Sequence, residues 1–66
     1  MQPLTRAPQS GDRVPSGAGA YEVVHVGVGV ITLRELDADR RPTGRPVPPV
    51  TPEGWREMVE RARAGA

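Results

Sequence analysis

Residues 21–36 read Tyr-Glu-Val-Val-His-Val-Gly-Val-Gly-Val-Ile-Thr-Leu-Arg-Glu-Leu. β-Branched side chains have a stiff χ1 that suits a pleated surface, so this run of Val and Ile reads as strand. Val24, Val26, Val28 and Val30 hold even positions, whereas Ile31 and Leu33 hold odd ones. Side chains alternate faces with period two, so the chain must turn or bulge between the two sets. Gly27 and Gly29 stand at that phase break, and their tolerance of positive φ places a hairpin turn at Gly27-Val28-Gly29. The expected strands run from Ala20 to Val26 and from Val30 to Leu36.

On the C-terminal side, Asp37 to Pro46 holds turn-forming Asp, Pro and Gly and nothing apolar larger than Ala38, which predicts an exposed loop. Val47-Pro48-Pro49-Val50 is expected to lie beside the hairpin as a third strand, confined to an edge because its prolines lack N–H groups. Thr51 then has the character of a helix N-cap, Pro52 of the N1 residue, and Glu53 of an acidic first-turn residue facing the positive helix start. Val50 and Trp55 have the spacing of a hydrophobic staple. Trp55, Met58, Val59 and Ala62 recur at i, i+3, i+4 and i+7 and form one apolar stripe, and Gly65 closes the helix at C′. Trp55 is expected to anchor the helix on the sheet.

On the N-terminal side, residues 1–19 carry three Pro and three Gly, with only Leu4 and Val14 as branched apolar side chains. So little apolar surface does not offset the entropy of ordering, and a flexible tail is expected. The expected organisation is a disordered tail over 1–19 and a small α+β domain over 20–66. That domain is an antiparallel β-hairpin or three-stranded meander with one C-terminal helix packed on the sheet.

A chain of 66 residues buries only about 60% of its unfolded surface, which excludes a large core. Nine Arg against eight Asp plus Glu give a net charge of +1, short of the basic surplus that displaces counterions from nucleic-acid phosphates. Direct nucleic-acid binding is therefore not expected. The absence of Cys removes disulfides and thiolate chemistry and points to a cytoplasmic setting. No stretch approaches the roughly 18 apolar residues of a membrane span, and the N-terminus has no apolar signal segment.

No constellation specifies catalysis. His25 is the single histidine, and on a regular strand it points away from the face of Glu22. Asp37 and Asp39 lack the further oxygen ligands of a calcium loop and are followed by Arg40 and Arg41. Gly27-Val28-Gly29 is followed by a β-branched run and not by the helix N-terminus that a phosphate loop requires. Arg40, Arg41 and Arg45 have acidic neighbours and no interleaved aromatic. A protein without enzymatic activity, metal or cofactor is expected.

Several segments together resemble a known family. Gly44-Arg45-Pro46-Val47, Val50, Thr51-Pro52-Glu53-Gly54-Trp55 and Arg61-Ala62-Arg63-Ala64-Gly65, preceded by strands at Tyr21-Glu22-Val23 and Val30 to Glu35, are similar to the BldB-like small actinobacterial regulatory proteins. The resemblance covers residues 20–65. It implies a small non-enzymatic regulator that partners a helix-turn-helix transcription factor in an antitoxin-like arrangement.

The residues add an independent expectation. One helix covers only one face of a small sheet, and apolar side chains fall on both faces: Val24, Val26 and Val30 on one, Ile31 and Leu33 on the other. Val26, Ile31 and Leu33 are therefore candidate partner-binding residues. A protein partner or a second copy of the chain would satisfy them. A self-assembling structural module and a weak direct DNA binder are the alternatives.

Overall fold

The computed structural model describes residues 7–65. They form β1 (Arg13–Ser16), β2 (Gly19–Gly27), β3 (Val30–Leu36) and α1 (Pro52–Ala64). The strands make one antiparallel sheet in the order β1-β2-β3, and the helix packs against β1 and β3. This is the expected α+β meander with a C-terminal helix.

The third strand is not the expected one. Arg13–Ser16 pairs with Gly19–Glu22 through a turn at Gly17-Ala18, inside the stretch expected to be a disordered tail. Ordering reaches further back: the Gln9 carbonyl accepts from the Asp12 N–H at 3.0 Å, Gly11 N–H donates to the Val23 carbonyl at 2.9 Å, and the Ser10 hydroxyl donates to the Val24 carbonyl at 3.1 Å. The physical reason is that pairing with β2 satisfies the backbone, and Val14, only 3% exposed, supplies the one apolar anchor required. The rest of the expected tail, residues 1–6, lies outside the described residues. Val47–Val50 contributes only one bridge, in which Ile31 and Val50 exchange both backbone bonds at 2.7 and 3.0 Å. Pro48 and Pro49 have no N–H to extend it.

The hairpin between β2 and β3 turns at Val28-Gly29, with Gly29 at φ +73°. Positive φ at the second loop residue alone is the pattern of a type II turn, which requires glycine there. At the other end of β2, a Cβ on Gly19 would overlap the Leu36 carbonyl oxygen, so only glycine allows β2 and β3 to close at this point.

The phase break in the valines is resolved by two devices. Besides the turn, the register slips between Val23 and His25, leaving Val24 as a bulge. Val23 pairs with Leu33 and Val26 with Ile31, so all four point to one face, on which Val23, Leu33 and Ile31 enter the core and Val26 stays outside it. Val14, Val23, Ile31, Leu33 and Trp55 form the core, with Tyr21, Val47, Val50, Met58, Val59 and Ala62 packed against it.

The helix begins as expected. The Thr51 hydroxyl accepts the Gly54 N–H at 3.0 Å, Pro52 is the first helical residue and Glu53 lies in the first turn. Trp55 is the buried residue of the helix. Gly65 caps the C-terminus at φ −85°, a right-handed conformation that makes no use of glycine's freedom. Thr51→Ala should cost about 1 kcal/mol by leaving the Gly54 N–H without its acceptor, which lowers the melting temperature of so small a domain by about 4–8 °C. A thermal melt followed by circular dichroism checks this.

Candidate protein-interaction surface

The sheet face opposite the helix carries a charged ladder. Arg13, Glu22 and Arg34 stand in direct register across the three strands. Arg13 Nε donates to Glu22 Oε2 at 3.0 Å, while Arg34 reaches Oε1 with Nε at 2.7 Å and Nη2 at 2.6 Å. Glu22 is thereby buried to 7% exposure between two guanidiniums. The hydrogen bond from Arg34, then that from Arg13, hold its carboxyl below the ordinary carboxylate range, and burial opposes them.

This lowered value has a consequence for stability. A carboxyl group depressed on folding contributes stability that is complete above its unfolded pKa, about 4.3, and is lost as pH falls through the folded value. The melting temperature of the parent should therefore decline on acidification below about pH 4. Glu22→Gln, already less stable at pH 7 because two arginines lose their counterion, should show a flatter acid dependence. Melts from neutral to acidic pH distinguish the two profiles.

The ladder is polar and both oxygens of its carboxylate are paired, so the middle of the open face is not the apolar surface expected there. Exposed apolar side chains gather at the β2–β3 tip instead: Val24, Val26, Val28 and Val30 are 46%, 39%, 104% and 37% exposed. Of the three candidate partner-binding residues, only Val26 is on this surface. Ile31 and Leu33 are 0% and 5% exposed in the core, because the bulge at Val24 puts Val26 and Ile31 in register on one face. The same bulge places His25, opposite Thr32, on the face of Glu22 and not on the other side as regular alternation predicts.

Both sheet edges are obstructed. β1 is four residues long and contains Pro15, which has no N–H to offer a further strand. The outer edge of β3 is held at Ile31 by Val50, at Leu36 by a bridge to Pro42, and at the Glu35 carbonyl by the Thr43 N–H at 3.0 Å. The loop that follows β3 is exposed, as expected, and is organised by Asp37, whose Oδ1 accepts the N–H groups of Asp39 and Arg41 at 2.9 Å each. Among the described residues no helix is long and apolar enough to cross a membrane.

Comparisons with protein-family models, with curated proteins and with solved structures return no match to this chain.

Proposed function

We propose that the chain is a non-enzymatic, cytoplasmic regulatory module that acts by protein contact, with the β2–β3 tip as its binding surface. The observation that carries this reading is the cluster Val24, Val26, Val28 and Val30, exposed within a run from Val23 to Leu33 that contains no Asp, Glu, Arg or Lys. Exposed valines gathered on both sides of one hairpin end have the character of an interaction site. The resemblance of residues 20–65 to BldB-like proteins supports a helix-turn-helix transcription regulator as the partner, in an antitoxin-like pairing.

Self-assembly is the weaker reading. Four valines, three of them less than half exposed, offer little surface toward the roughly 800 Å² per partner of a stable interface, and obstructed edges discourage strand-to-strand pairing. A different protein whose surface wraps the protruding tip buries more than a second tip would.

Val28→Asp alters a side chain that touches nothing in the fold, so it tests binding without disturbing stability. In a pull-down from the native cell, the parent chain should retain a helix-turn-helix regulator that Val28→Asp loses. Tight DNA binding by the purified chain at physiological salt, or equal recovery by both chains, would overturn the reading.

A further inference from the structure

At the end of the sheet away from the valine tip, a cleft of about 440 Å³ opens between β1, the start of β2 and the loop after β3. Its charged lining is Arg13, Arg40 and Asp37, and its other walls are small, among them Ala18, Gly19 and Ala20. We propose that this cleft binds a carboxylate group, presented by an acidic side chain of the protein partner.

Three observations converge on it. Arg13 is clamped through Nε to Glu22, which fixes the guanidinium and leaves its two terminal nitrogens without a partner among the described residues. A guanidinium held in this way presents a preorganised fork to a planar carboxylate. Arg40 lines the same cleft at φ +66°, the one non-glycine residue with positive φ among those described. The Asp37–Arg41 turn, closed by Arg40 N–H to the Asp37 carbonyl at 2.9 Å and Asp37 N–H to the Arg41 carbonyl at 2.8 Å, needs a left-handed residue at this position, and where Gly or Asn is usual it places a second arginine at the cleft. Third, with the ladder partners of Arg13 counted, the arginines Arg13, Arg34 and Arg40 stand against Glu22 and Asp37, which leaves a single net positive charge at the cleft. That matches a monoanionic carboxylate, whereas a phosphate dianion would be left partly uncompensated beside Asp37.

That the carboxylate arrives on a protein rests on the function proposed above; the site itself is testable with small probes. The full chain, isotopically labelled, is titrated with acetyl-Gly-Glu-Gly-amide, with its Gln counterpart and with inorganic phosphate, while the amide signals of Ala18, Gly19 and Ala20 are followed. The Glu peptide should shift these signals saturably, the Gln peptide should not, and phosphate should bind no tighter than the Glu peptide. Arg40→Gly relieves the strained backbone, so it should melt higher than the parent while binding the Glu peptide about tenfold more weakly, a loss that unfolding cannot explain. Arg13→Gln should show a similar loss, and Arg45→Gln, outside the lining, none. Val28→Asp should keep the peptide response, so that a failure here and a failure at the valine tip are told apart. Absence of a saturable shift, an equal response to the Gln peptide, tighter binding of phosphate, or full affinity in Arg40→Gly would overturn the proposal.

Discussion

Ile31→Asp should leave the chain unfolded at room temperature, whereas Val26→Asp, at its direct partner across the β2–β3 ladder, should melt close to the parent. Ile31 is fully buried among Val14, Val23, Leu33 and Trp55, and its backbone is pinned to Val50 on the outer edge. A carboxylate placed there has no cation or donor to replace its water. The cost is several kcal/mol, comparable to the roughly 3–5 kcal/mol that a core of this size supplies. Val26 is 39% exposed and outside the core cluster, so its replacement stays hydrated and should change stability by no more than about 0.5 kcal/mol. Urea titrations of both variants decide the point. Cooperative unfolding of Ile31→Asp near the parental midpoint would mean that the helix does not cover this face.

The contrast between these two positions shows which part of the structure was legible beforehand. Period-two valines interrupted by Gly27 and Gly29 were enough to place β2 and β3 within a residue of their ends, because a turn chemistry and a strand propensity agreed. Thr51, Pro52, Glu53 and the Trp55 stripe did the same for the helix. The two faces were a different matter. A phase break can be taken up by a turn, by a bulge or by both, and nothing in the valine run distinguishes these; the slip at Val24 moved Ile31 and Leu33 from candidate contacts into the core.

β1 was illegible for a related reason. Arg13-Val14-Pro15-Ser16 holds one branched apolar residue and one proline, so its own propensity argues against a strand. Its stability comes from Glu22 and Tyr21 across the ladder, which only the register reveals. Glu22 likewise gave no sign of burial, since the arginines that enclose it lie nine and twelve residues away along the chain. β1 pairing and Glu22 burial are both contacts between segments, and such contacts carry no local periodicity.

Trp55→Ala should unfold the isolated domain or bring it to the edge of unfolding. Trp55 is the only tryptophan in a chain with one tyrosine and no phenylalanine, and at 7% exposure it joins α1 to Val14, Val23, Ile31 and Leu33. Truncating a buried Trp to Ala removes about 3–5 kcal/mol, through both lost transfer energy and the cavity left behind. Met58, Val59 and Ala62 are only partly buried and have no bulk to fill that space, and the helix that loses its anchor is 13 residues long, marginal on its own. Loss of the helix then exposes the whole core face of a three-stranded sheet. Far-ultraviolet circular dichroism should report loss of the cooperative thermal transition, while Trp55→Phe, which keeps a ring in the site, should retain a transition at lower temperature. Native dichroism and an unchanged melting temperature in Trp55→Ala would move the tryptophan out of the core and onto a binding surface, and with it the assignment of the valine tip as the principal contact.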